Sequence, residues 1–351
     1  MSIVANSYAH VIGIDTHAST HTYAILDAPT GALRHTRTFP TTPAGLKRAA
    51  AWIVRCTGPT RTTLAVIEGI GSYGAGIARV CRDTGLTVVE PLPIAKALRG
   101  GRGKSDPIDA ELIAGSVRPA DAHHLREPRD DQGVRAAIRI LVTSRDALNR
   151  SRTAAINQLT ALVRTVDVGI DARHPLTSVQ IHTIAAWRER ADDIAIMTAR
   201  REARRLARHI RAIEHDLKSN EADLATLVAA SDAAPLMDEA GIGPVIAATI
   251  LTSWSHAGRI RNEAAFAALA GVSPIPASSG NTTRHRLNRG GDRRLNSVFH
   301  AVILTRMRVD PATRDYVERR RAENKTTKDI RRTLKRYLAR HIYRLLTNPT
   351  A

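Results

Sequence analysis

The sequence is poor in cysteine, lysine, aromatic residues and long apolar runs, and each shortage removes a class of protein. Two cysteines, Cys56 and Cys81, in 351 residues make neither a disulfide framework nor a CxxC zinc site. They point to a reducing, cytoplasmic setting. Phe, Trp and Tyr together are 3% of the chain, too few for the stacking platforms of single-strand-binding modules. The longest apolar run, residues 241–251 (GIGPVIAATIL), is too short to span a bilayer. The opening MSIVANSYAHVIGID lacks the basic start and long apolar stretch of a signal peptide. Acid is also scarce: 33 Asp and Glu face 52 Lys and Arg, a formal charge of +19. A compact body this basic repels itself, and a polyanion relieves the repulsion. Only 7 of the cations are Lys, and Arg is the better bidentate partner for phosphate and guanine. A GC-rich coding bias also inflates Arg, but it leaves the net charge unexplained.

Hydrophobic residues make up 43% of the chain, enough for a substantial core. Runs rich in β-formers at His10–Asp15 and His21–Asp27 flank a short polar turn, and Arg34–Pro40 is a third strand candidate. Thr42 and Pro43 supply a cap and first-turn proline for a helix to about Cys56. Arg61–Glu68 and Leu86–Glu90 read as buried strands with a helix at Ser72–Thr84 between them, and another helix follows Ser105. The pattern predicts an α/β domain with a mixed sheet. From Val134 the spacing changes to threes and fours: Val134, Ile138, Leu141, Leu148, Ala155, Leu159, Leu162, Val166, then Ala199 to Leu227 after a break at Asp167–Pro175. Such heptads predict long helices packed as a coiled coil, either as a hairpin within one chain or between two chains. Arg145, Arg152 and Asn220 interrupt the seam, either to set its register or where the face becomes exposed. From about Pro235 come glycine turns, short apolar helices and a basic tail. Residues 321–351 hold nine Lys or Arg against Glu323 and Asp329.

Asp15 and Glu68 close strands, and Asp106 and Asp109 share a helix face three residues apart. Acids at strand ends converge at a sheet edge, where their oxygens suit Mg²⁺ or Mn²⁺. Two such ions about 4 Å apart clamp a phosphodiester for in-line attack. Ser105-Asp106-Pro107 reads equally well as a plain helix cap. Asp15 and Glu68 need a partner on either reading. The GIGP turn at residues 241–244 reads as a plain turn or as a phosphate-approaching hairpin. Ser278 and Ser279 lie in a turn before the five arginines of Arg284–Arg294. That stretch is either an ordinary polar loop or the seat of a nucleophile whose phosphate the cations hold. His17, His21, His285 and His300 show no metal-ligand spacing and read as ordinary histidines.

Three N-terminal segments, VIGIDTH, VIEGIGSYG and GRGKSDPIDAELIA, resemble the RuvC-like domain of DEDD transposases of the insertion-sequence-110 family, which includes the Piv-type invertases. LMDEAGIGPVIAATIL, FAALAGVSPIPASSGN and RLNRGGDRRLNSVFHAVIL resemble that family's C-terminal transposase domain. The resemblance implies an α/β-plus-α chain in three parts. These are an RNase H-like, RuvC-like metal domain over 1–125, a coiled-coil connector over 126–232, and a mainly helical domain over 233–351. It implies that Asp15, Glu68, Asp106 and Asp109 form the tetrad holding Mg²⁺, with Mn²⁺ as a substitute. It also implies that Ser279 attacks DNA to form a covalent intermediate. Arg284, Arg286, Arg289, Arg293 and Arg294 would grip nucleic acid. Double-stranded DNA, a structured noncoding guide RNA and further copies of the chain are the implied partners, in the cytoplasm and on the nucleoid. The chain departs from the family pattern in three ways. Ser105 stands where Thr is common, Ser278 precedes Ser279, and Asp292 and Asn296 stand where Asn and Arg are expected. The alternatives are a junction endonuclease using water, an invertase without RNA guidance, or a non-catalytic scaffold. A sugar-kinase-like ATPase lacks its phosphate-binding glycine loop here.

Overall fold

A computed structural model describes residues 2–94, 103, 105–129, 132–281, 285–286 and 288–348. The chain divides into two compact units, Met1–Asp130 with His256–Arg261, and Asp131–Ser255 with Asn262–Ala351. Among the described residues, no helix is long and apolar enough to cross a membrane.

The first unit is built on a five-stranded sheet ordered β3-β2-β1-β4-β5. After the short helix α1 (Val4–Ser7), β1 (His10–Thr16), β2 (Thr20–Asp27) and β3 (Leu33–Pro40) pair antiparallel. Thr42 then caps α2 (Pro43–Thr57) by accepting from the Gly45 N–H, and Gly58 ends that helix at φ +71°. β4 (Thr63–Ile67) pairs parallel with β1, and β5 (Thr87–Val89) parallel with β4, across helix α3 (Ala75–Asp83). β4 is buried at every position, as expected of a parallel strand covered on both faces. Strand alternation sends Ile12 and Ile14 of β1 toward Leu46, Trp52 and Ile53 of α2 and Ile77 of α3. Val11 points to the other face, where Leu64, Val66, Ile113 and Val117 make a second core. Helix α4 (Asp106–Val117) supplies Ile113 and Val117 to that face.

The second unit is helical apart from one short hairpin. Helices α5 (Gly133–Thr165) and α7 (Ile194–Ala229) run antiparallel, with the short α6 (Ser178–Ala185) between them in sequence. Their direction is set by cross-pairs: Arg145 with Glu221 at 3.1 Å and Arg152 with Glu214 at 2.7 Å. The heptad seam is therefore closed as a hairpin within the chain. The polar interruptions are its cross-ties rather than exposed ends. Arg145 donates to the Leu217 carbonyl, and buried Asn220 donates to the Leu141 carbonyl. Beyond the hairpin come α8 (Pro244–Trp254), α9 (Glu263–Leu269), strands β6 (Ile275–Pro276) and β7 (His285–Arg286), α10 (Arg293–Val309), α11 (Pro311–Ala322) and α12 (Thr327–Thr347). Gly241, at φ +82°, lies against Thr305 and the Val302 carbonyl of α10, which makes the GIGP segment a packed turn.

Candidate metal centre and serine loop

On β1 the odd-numbered residues 11, 13 and 15 share one face, the face that α4 covers. Gly13 has no side chain, so α4 comes down until the Ala110 and Ala114 backbone lies against the strand. That approach carries the first turn of α4 toward Asp15, the penultimate residue of β1, which is only 8% exposed. β4 reaches the same edge. The Glu68 N–H donates to the Ile14 carbonyl at 3.3 Å, and the Thr16 hydroxyl donates to the Glu68 carbonyl at 3.0 Å. The two strand ends and one helix start therefore meet at one edge of the sheet.

The side chains that close on one another there are Asp15, Asp106 and a residue the sequence reading set aside, His17. The His17 Nε2 lies 3.1 Å from an Asp15 oxygen and 3.5 Å from an Asp106 oxygen. Among the described residues, ligand atoms of Asp15, His17 and Asp106 all fall within 4.8 Å of one another. Glu68 and Asp109 do not enter that group. The Glu68 side chain is exposed, and Asp109 is near enough to bear electrostatically on Asp15. His17, which reads from the sequence as an ordinary histidine, thus stands within reach of two carboxylates. A lone His two residues after an acid has no recognisable ligand spacing, and only the turn into β2 and the start of α4 bring it to carboxylates. Ser105 stands at the N-cap position of α4 with Pro107, Asp106 and Asp109 in the first turn, and its carbonyl accepts from the Asp109 N–H at 2.9 Å, while its side chain accepts no capping bond.

Burial pushes the Asp15 carboxyl above its ordinary value, Asp106 and Asp109 push the same way, and His17 opposes them. The native state then holds the Asp15 proton to higher pH than the unfolded chain does. Stability is lost as pH rises from the ordinary carboxyl value of 3.8 through the raised native one. Asp15→Asn is accordingly expected to raise the thermal midpoint of chelator-treated protein at pH 7. The gain should vanish at pH values below the ordinary carboxyl range. Equal midpoints at pH 7 would show that ionised Asp15 carries no strain.

Ser278 and Ser279 are exposed in the loop that leaves β6, followed by Gly280 at φ +54°. Arg284 lies outside the described residues. Arg286, Arg289 and Arg293 are exposed, whereas Arg294 is committed to an ion pair with Asp146 of α5. The tail is also partly spent internally: Arg340 and Arg344 both pair with Glu263, and Arg332 pairs with Asp329. A cleft of about 380 Å³ lies between the β6–β7 segment and α12, lined by Pro274, His285, Arg286, Arg332, Lys335 and Arg336. Asp292 and Asn296, the two departures in the basic stretch, are structural. Asp292 accepts from the Arg294 and Leu295 N–H groups to cap α10 and accepts the Ser253 hydroxyl at 2.9 Å. Asn296 donates to the Ala270 carbonyl at 2.7 Å and accepts from Lys335 at 3.1 Å. Asp292→Ala is expected to cost about 1–2 kcal/mol of stability, read from urea unfolding. A loss within 0.5 kcal/mol (about the noise of a surface change) would mean the cap is dispensable.

The sequence model for the DEDD transposases of IS110 elements matches residues 12–167, which contain all four acids. A second, for transposases of the IS116/IS110/IS902 family, matches residues 233–318, which contain the serine loop and the arginines. Together they take in about two-thirds of the chain. The chain belongs to the IS110 family of transposases. An IS110 43.6 kDa insertion-element protein of Streptomyces coelicolor is 24% identical to it over 76% of this chain and 77% of its own length. An IS900 42 kDa protein of Mycobacterium paratuberculosis is 25% identical over 64% and 67%. An IS116 44.8 kDa protein of Streptomyces clavuligerus is 25% identical over 64% and 66%. As an IS110-family transposase the chain is a DNA-acting enzyme, and the DEDD family implies a divalent metal. The donor set of Asp15, His17 and Asp106 fits such an ion: two carboxylates and an imidazole at ligand-to-ligand spacing.

Proposed function

We propose that the chain is a DNA recombinase of an insertion element that cuts and rejoins double-stranded DNA by combining a metal-bound DEDD tetrad with a serine nucleophile. The observation that carries the reading is the meeting of Asp15, beside the Glu68 backbone, with Asp106 at one sheet edge of an IS110-family chain. The strand order, three antiparallel strands followed by two parallel ones, supports an RNase H-like, RuvC-like domain over 1–125. The α5–α7 hairpin supports a connector over 126–232, with the transposase domain over 233–351. Asp15, Glu68, Asp106 and Asp109 are the residues that would hold Mg²⁺ or Mn²⁺. When bound, such an ion polarises phosphoryl oxygens and offsets the charge that builds on them.

Ser279 is the attacking group. A bond forms between its Oγ and the scissile phosphorus as one deoxyribose oxygen–phosphorus bond breaks. The hydroxyl proton passes, on balance, to the leaving oxygen. Rejoining runs the exchange backwards with the hydroxyl of another strand, so the energy of the cut is kept in the phosphoserine ester. Arg286, Arg289 and Arg293, exposed near the loop in sequence, hold phosphates against their own repulsion. Strand exchange between two duplexes calls for more than one copy of the chain, and the net charge of +19 suits a guide RNA beside the DNA.

Purified full-length protein, a labelled element-end duplex and a transcript of the DNA flanking the gene provide the test. A denaturant-stable protein–DNA adduct that a chelator prevents is expected. Cut DNA with no adduct would replace the serine by water and make the protein a junction endonuclease. An adduct formed equally without the transcript would remove the guide RNA and leave an invertase-like reaction.

A further inference from the structure

We propose that His17 is a nitrogen ligand of the divalent-metal site and that its imidazole shifts the preference of that site from Mg²⁺ toward Mn²⁺. The proposal rests on reading Asp15 and Asp106 as metal ligands. His17 immediately follows β1, and its backbone is pinned twice. Its N–H donates to the Thr20 carbonyl at 3.1 Å and to Nδ1 of the buried His21 at 3.3 Å. The pinned turn leaves little freedom except at the ring, and the ring's Nε2 is held toward the two acids. With metal–ligand bonds of about 2.1 Å, neighbouring donors of an octahedral ion stand about 3 Å apart. The 3.1 Å separation from Asp15, also a hydrogen bond, falls at that spacing, and the 3.5 Å separation from Asp106 exceeds it by about half an ångström.

Simple ion pairing accounts less well for the arrangement. The His17 side chain is 52% exposed, so contact with one carboxylate gains little in water, yet the ring addresses both acids. Ligand chemistry supplies the discrimination. Mg²⁺ takes oxygen donors and parts reluctantly with its waters, whereas imidazole suits transition-row ions. Mn²⁺ stands nearest Mg²⁺ among them, since carboxylates suit both ions. Asp15 and Asp106 alone would serve either ion, and His17 tips the choice.

The full chain, wild type, His17→Gln and Asp15→Asn, is titrated calorimetrically with Mn²⁺ and with Mg²⁺. The Mn²⁺-loaded samples are examined by pulsed EPR for coupling to a ¹⁴N nucleus. Wild type is expected to show imidazole nitrogen coupling that His17→Gln abolishes. The same change should weaken Mn²⁺ binding by about tenfold or more while Mg²⁺ binding changes far less. Thermal unfolding confirms that His17→Gln, a change at a half-exposed turn, keeps the fold. Tight Mn²⁺ binding without nitrogen coupling, or equal losses for both ions, would overturn the role of His17 and leave the carboxylate site standing. Binding of neither ion above the Asp15→Asn background would overturn the metal reading itself, and the proposal with it.

Discussion

Gly13→Ala is expected to cost about 3 kcal/mol or more of folding stability and to reduce DNA cleavage by at least about a hundredfold. A methyl group at this position would fall inside the contact radius of the Ala110 carbonyl oxygen and stand 2.6 Å from the Ala114 nitrogen. Both obstacles are helix backbone, which cannot rotate away as a side-chain tip does. The glycine is thus required by the closeness of α4, and its own dihedrals need no special freedom. Relief means lifting α4 from β1, and α4 carries Asp106 and Asp109 in its first turn. Lifting it separates Asp106 from Asp15 and His17, and a shift of about 1 Å at a reacting centre is enough for the stated loss. Gly115→Ala is the control on the same helix. Nothing lies within 4 Å of its Cβ position, so alanine there should stabilise the fold by about 0.5–1 kcal/mol through helix propensity. Urea unfolding and single-turnover cleavage of both variants make the comparison. Wild-type stability in Gly13→Ala would show that the close β1–α4 approach is not what sets the acidic edge.

Much of that edge was legible in the sequence because it depends on short-range patterns. The strands at 10–15 and 21–27, the cap at Thr42 and the helix after Ser105 rest on alternation, punctuation and a proline, and all emerge within a few residues of where the sequence puts them. The β1–β2 turn and the seam of α5 and α7 were legible for the same reason. What escaped were side chains whose role depends on a distant partner. Arg294 sits in a run of arginines and reads as a phosphate contact, yet its partner Asp146 is on another helix. Arg340 and Arg344 inflate the apparent charge of the tail, while Glu263 draws them inward. Asp292 looks like a flaw in a basic stretch until α10 begins beneath it. His17 escaped because a metal donor is defined by convergence in space, and nothing in the spacing of Asp15 and His17 announces Asp106. The net charge therefore overstates the free grip on nucleic acid, and the acid count overstates how many acids are left free of arginine.

The serine loop separates the competing chemistries most cleanly. Ser279→Ala is expected to abolish the denaturant-stable adduct and to lower strand cleavage by about a thousandfold or more, while Ser278→Ala keeps both. Ser279 is exposed, so deleting its hydroxyl should leave stability within about 0.5 kcal/mol of wild type. Lost activity can then be assigned to the missing nucleophile. Gly280, at φ +54°, follows Ser279 immediately and sets the turn at that residue. The left-handed glycine directly follows Ser279 and not Ser278, so the two serines stand differently with respect to that turn despite being adjacent. Both serines are exposed and lie in the second unit, so neither change should disturb the fold of the acidic one. Asp15→Asn therefore serves as the complementary variant, keeping the serine and removing a carboxylate of the proposed metal site. Loss of adduct in both Ser279→Ala and Asp15→Asn, with retention in Ser278→Ala, is the signature of a reaction that needs both the acids and Ser279. An adduct persisting in Ser279→Ala but absent in Ser278→Ala would move the nucleophile by one residue. Persistence in both would remove the serine loop from the chemistry and return the cut to water at the acidic edge.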